Sequence, residues 1–103
     1  MKEPINEYIK MTATEAVARL RSREISPLDL VEASIQRIEA VDSKVNALPI
    51  HCFEQARSQA KSFNYMAHSD NPKSLCGLPI AVKDYNDLGG ALTTYGSPIF
   101  SKN

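Results

Sequence analysis

Apolar residues near the start of the chain recur at helical spacing. Ala13, Ala16, Val17 and Leu20 form one stripe, which predicts a helix that begins near Thr12 and stops by Glu24. Thr12 and Glu15 have the spacing of a capping box, in which each side chain bonds the other residue's backbone N–H. A second helix is predicted over 26–42. Ser26 suits the N-cap, Pro27 the first helical position, and Asp29 places negative charge in the first turn. Leu28, Val31, Ile35, Ile38 and Val41 line one face of it, the pattern of a helix that packs on something larger. Residues 46–52 read as a short, mostly apolar strand weakened by Pro49. Residues 53–66 read as a third helix with Phe53, Ala56, Ala60 and Phe63 on one face, and 68–74 as a polar surface loop. Residues 78–82 are a continuous apolar run between Gly77 and Lys83, the pattern of a strand buried on both faces. The tail over 86–98 holds Gly89, Gly90, Gly96 and Pro98 and is loop-like.

Strand, helix and strand in that order suggest a right-handed crossover, so the expected fold class is α/β: N-terminal helices plus the first strands of an incomplete sheet. Two strands with open edges do not finish a sheet. The chain therefore reads as a folding element whose other half is missing. Expressed alone, it is expected to be marginally stable, dimeric or prone to aggregate.

Composition narrows the partners. Of 103 residues, 12 are Lys or Arg and 12 are Asp or Glu, so the formal net charge is zero. Nucleic acid and anionic membrane surfaces usually need a basic excess, and neither is expected as a partner. Arg19, Arg21 and Arg23 are the nearest thing to a basic cluster, and they sit where a helix end favours positive charge. No apolar stretch approaches a signal-peptide core or a membrane span, which makes the cytoplasm the expected location. Cys52 and Cys76 lack metal-ligand spacing and read as buried free thiols in a reducing compartment.

Chemistry concentrates on Lys83. It directly follows the apolar run, so its stem should leave the core at the carboxyl end of a strand, where open α/β sheets usually bind ligands. Spacing leaves two readings open: a desolvated lysine acting as a neutral base, or a lysine that snorkels into water. His51 has no partner at triad spacing and reads as a hydrogen-bonded core or edge histidine. His68 lies in the polar loop. Cys76 has no neighbouring base to favour its thiolate. Asp84 and Asp87 are carboxylates of the kind that commonly form turns.

Gly77-Leu78-Pro79-Ile80-Ala81-Val82-Lys83-Asp84 resembles the Gly-x-Pro-x-x-x-Lys-Asp element of the amidase signature family. The likeness continues through Asp87, the Gly89-Gly90 pair and Thr93-Thr94-Tyr95-Gly96-Ser97, similar to that family's Thr-Thr-x-Gly-Ser segment. Upstream, the helix pair and Val45-Asn46-Ala47 resemble its N-terminal approach, so the similarity runs from about Thr12 to Phe100. Order and spacing together make the resemblance specific. It implies residues 1–11 as an extension and 12–103 as a partial amidase domain, with the sheet strands belonging to a mixed amidase-signature sheet.

The resemblance also implies a mechanism: amide hydrolysis by a serine nucleophile, a second serine in a cis peptide bond and a lysine, with Lys83 as that lysine and Asp84 orienting its surroundings. No metal or organic cofactor is implied. The Gly/Ser-rich stretch that carries both serines and the oxyanion hole in that family has no counterpart here, and Ser97 falls in a structural or pocket element instead. The chain alone is thus expected to be inactive. In a complete enzyme the substrate would be a small-molecule amide, and the branch, simple amidase or amidotransferase, depends on residues further along. Two further expectations stand beside this one. The chain is one piece of a split enzyme, completed by a separate chain that carries the serines, or it is a non-catalytic interaction module that binds through its apolar helix faces; a homo-oligomer or a complementing chain is the possible protein partner.

Overall fold

The computed structural model describes residues 5–68, 70–83, 89–90, 92–94 and 99. It contains helices α1 (Ile5–Tyr8), α2 (Ala13–Arg21), α3 (Pro27–Val45), α4 (Phe53–Lys61) and α5 (Tyr65–His68). Helices α1 and α4 both pack on α3, the longest element.

Local chemistry sets the ends of these helices. Thr12 Oγ1 accepts from the Glu15 N–H at 3.1 Å, while the Glu15 carboxylate turns to Arg19 at 3.5 Å, so one half of the expected box forms. Helix α2 stops where Arg23 takes a left-handed φ of 64°. The Arg23 N–H then reaches Leu20 O, and the Glu24 N–H reaches back to Arg19 O at 3.0 Å. This is a Schellman stop built without glycine. At the head of α3 both bonds of a capping box are present: Asp29 N–H to Ser26 Oγ at 3.1 Å and Ser26 N–H to Asp29 Oδ2 at 2.9 Å.

Helix α3 runs past its expected end at Asp42 to Val45, and the reason lies in the Asp42 side chain. Asn46 takes a left-handed φ of 54°, and the N–H groups of Ala47 and Leu48 donate to Asp42 Oδ1 at 2.9 and 3.2 Å. Desolvation pushes the Asp42 carboxyl up, but the Ala47, Leu48 and His51 donors outweigh it and leave the group below its ordinary value of 3.8. A lowered folded pKa contributes stability above the ordinary carboxylate value, and that contribution is lost as pH falls through the folded value. The melting temperature of the chain should therefore drop below about pH 3.8. Asp42→Asn should flatten that part of the profile, and an unchanged slope in the variant would count against the cap.

The core lies between α1, α2, the first half of α3 and the loop after α5. Tyr8, Ala16, Leu20, Ile25, Leu30, Ala33 and Cys76 form one buried cluster, with Met11 and Leu78 against it. Val31 and Ile35 are also buried, but on the side of α3 that faces α4 and the residues around 80. Cys76 is the buried thiol, and Cys52 is only half-buried.

Three expectations are corrected. The third helix splits instead of running over 53–66. The Ser62 hydroxyl bonds back to Ser58 O at 3.1 Å, and Asn64 Oδ1 accepts the Ala67 N–H, so polar side chains compete with the helix at the break. Residues 46–52 form no strand: Asp42 takes the N–H groups of Ala47 and Leu48, and Pro49 has none to give. Residues 78–82 form no strand either, and they are not buried on both faces, with Ile80 73% and Val82 42% exposed. A strand exists only through a partner's ladder, and no strand lies among the described residues. No helix among them is long and apolar enough to cross a membrane.

Candidate functional site

Lys83 lines a groove of about 490 Å³ whose walls come from four parts of the chain, one of them Leu92 and Thr93. Helix α3 contributes Val31 and Ile35. The connection into α4 contributes Leu48 and His51, and residues 79–83 supply the segment that ends in Lys83 itself. The walls are mainly apolar, with polar groups at Ser34, His51, Lys83 and Thr93. Lys83 is exposed and Thr93 is buried. The groove thus gathers Lys83 and the first part of the Thr93-Thr94 pair, which are ten positions apart in sequence.

The route of the chain to Lys83 is fixed from two sides. On one side, Arg21 of α2 donates from Nη1 to Asn71 O at 3.1 Å and from Nη2 to Ser74 O at 3.0 Å. On the other, Gly77 lies so close to Pro27 of α3 that a Cβ built on it would stand 2.5 Å from the proline Cγ. Cys76 and Gly77 both take positive φ, 56° and 90°, which turns the chain sharply before Leu78. The Cys76 N–H donates to Ser74 Oγ at 3.1 Å, and the Leu78 N–H reaches Leu75 O. Beyond this anchored stretch, residues 79–83 pass into the exposed wall of the groove.

The other sequence candidates separate from Lys83 or pair elsewhere. His51 is an exposed histidine whose Nε2 lies 3.5 Å from Asp42 Oδ2 and whose ring stacks on Phe53 at 4.6 Å. Its partner comes from the preceding helix, so no spacing rule would have found it. His68 Nδ1 bonds Ser74 Oγ at 3.0 Å, and its ring stacks on Phe63, which ties it to the loop that Arg21 holds. Asp84, Asp87 and Ser97 lie outside the described residues. Among the described residues no three His, Cys, Asp or Glu side chains group as metal ligands would. The anchoring by Arg21 is not legible in the sequence, since its acceptors are backbone carbonyls that carry no residue signal.

Arg57 of α4 bonds the Glu32 carboxylate of α3, with Nε 2.6 Å from Oε1, and also pairs with Glu54. Bonds to Glu32 and Glu54 raise the guanidinium's already high pKa further. This pair joins the two helices that flank the groove.

The sequence profile of the Amidase family matches residues 29–103. A glutamyl-tRNA(Gln) amidotransferase subunit from Anaeromyxobacter dehalogenans is 39% identical over 100 residues, which cover 96% of this chain and 20% of that protein. The subunit of the same name from Psychrobacter cryohalolentis is 36% identical over 93 residues, 90% of this chain and 19% of that one. A putative amidase, AmiB2, of Mycobacterium bovis is 40% identical over 68 residues, 66% of this chain and 15% of its own length. The chain spans about one fifth of the length of the amidotransferase subunits it matches. No solved structure matches it.

Proposed function

We propose that this chain, which belongs to the amidase family, supplies the N-terminal part of an enzyme that hydrolyses a carboxamide carbon–nitrogen bond, with Lys83 as the base of its proton relay. The observation that carries this reading is Lys83 itself: it is the lysine of the Gly77–Asp84 element inside the matched region and lines a groove. Residues 12–103 form the partial catalytic domain in this reading, working in the cytoplasm. Two serines supplied by further polypeptide complete the site. Neutral Lys83 accepts a proton from the bridging serine, which deprotonates the nucleophile, and the lysinium returns a proton toward the leaving amine. A lysine works as a neutral base only where water is excluded, and cover over the exposed wall at 80–83 would exclude it.

The same cover accounts for the sheet. Ile80 and Val82 are large apolar side chains left at the surface, and a layer packed over the face of a sheet built on 78–82 would bury them. The α/β architecture belongs to that completed state. The substrate is a small-molecule amide. Glutamine is the natural candidate if this chain follows the relatives named as amidotransferase subunits, and a simpler amide if it follows the one named as an amidase.

A chimera tests the proposal. Residues 1–103 replace the corresponding fifth of the Anaeromyxobacter subunit, and hydrolysis of glutamine and of a simple carboxamide is measured. Hydrolysis above that of the chain alone is expected. A folded chimera with no activity on either would count against the catalytic role and favour the interaction module.

A further inference from the structure

The segment that ends in Lys83 is held at its start by a residue from a distant helix. Arg21 spans 50 and 53 positions to reach Asn71 O and Ser74 O with two separate guanidinium nitrogens. Ser74 is the junction of that loop. Its carbonyl receives Arg21, its own N–H donates to Asn71 O, and its hydroxyl receives the Cys76 N–H and bonds His68 Nδ1. Cys76, buried in the core cluster, and Gly77, pressed on Pro27, then set the direction in which Leu78 leaves. Ile80, Ala81 and Val82 beyond them are exposed, and the chain enters them from the anchored stretch.

We propose that Arg21 is a positioning residue for Lys83, acting through Ser74, Cys76 and Gly77. This rests on the reading of Lys83 as the reacting base. A planar fork that donates along two directions at once can fix both ends of a short turn, which an ammonium on a flexible stem does not do. Removing the fork leaves the Asn71 and Ser74 carbonyls to water and frees the turn to change its exit angle.

The test reads the chain itself by nuclear magnetic resonance. Arg21→Gln should speed amide exchange at Ser74, Cys76 and Leu78 by roughly 10- to 100-fold, the scale of losing hydrogen bonds to a charged donor, and leave Leu30 to Ile35 of α3 unchanged. The Cε–Hε cross-peak of Lys83 should move from its position in the parent chain, while that of Lys44 on α3 stays in place. Arg21→Lys should restore less than half of the lost protection. If Arg21→Gln does not fold, Ser74→Ala, which leaves α2 untouched, carries the same expectation at Cys76 and Leu78. Unchanged exchange in the loop, an unmoved Lys83 signal, or an equal rise throughout α3 would overturn the proposal. These readouts need no hydrolysis, so an inactive chimera leaves them standing, and their failure leaves the amidase reading untouched.

Discussion

Lys83→Ala in the active chimera should lower amide hydrolysis roughly 10²- to 10⁴-fold, the usual contribution of a positioned proton-transfer group. The loss should fall on kcat, since a proton relay acts in the transition state while the groove continues to hold the substrate. Lys83→Arg makes the test sharper. Arginine keeps the positive charge and much of the length but cannot be deprotonated in a protein, so it cannot act as a base. If Lys83 only attracts a substrate by charge, arginine should restore most of the activity. If it relays a proton, arginine should be nearly as damaging as alanine. Activity within tenfold of the parent in the alanine variant would remove Lys83 from the mechanism, and in the arginine variant alone it would remove the proton relay.

Gly77→Ala should be the most costly small change in the described fold. Its φ of 90° lies in the left-handed region, where a side chain adds strain of about 1–3 kcal/mol. The new Cβ would also meet Pro27 Cγ at 2.5 Å and Cβ at 2.9 Å, and a proline ring on a capped helix cannot swing away. Overpacking of that kind costs a further 1–3 kcal/mol or so, for a total of roughly 2–6 kcal/mol, a large share of a small domain's stability. Gly89→Ala is the control. Nothing lies within 4 Å of the Cβ it would add and its φ is not positive, so a change within about 0.5 kcal/mol is expected. Equal melting of the two variants in urea would show that the Pro27 contact yields.

What can be read from the sequence follows from how local each signal is. The start of α3 is legible because Ser26, Pro27 and Asp29 act on one another within a single turn. The start of α2 is legible for the same reason. Its end is harder to read, since Arg23 occupies a conformation that usually belongs to glycine. Guanidinium stacking over Tyr65 at 4.6 Å offsets part of that cost, and this partner lies far along the chain. The break after Lys61 escapes notice because Ser62 and Asn64 are tolerated in helices until their side chains turn on the backbone.

The site divides the same way. A motif singles out Lys83, and the groove around it also draws on Val31, Ile35 and Leu48 from other elements. Apolar content alone marks 78–82 as buried, whereas burial depends on what lies opposite, and the described residues place nothing there to cover Ile80. Arg21 gives no sign of consequence in the sequence because its position at a helix end already has a sufficient reason.

The Asp42 cap has a consequence for the order of assembly. The N–H groups of Ala47 and Leu48 can serve the Asp42 carboxylate or a neighbouring strand, but not both at once. Any sheet that recruits residues 46–52 must first displace that carboxylate, and the last turn of α3 loses its tether in the exchange. The stretch from Asp42 to Leu48 thus behaves as a latch with two exclusive positions. Protonating Asp42 would weaken the closed one, and because the group lies below its ordinary value of 3.8, the closed position persists through mildly acidic conditions and yields only in stronger acid.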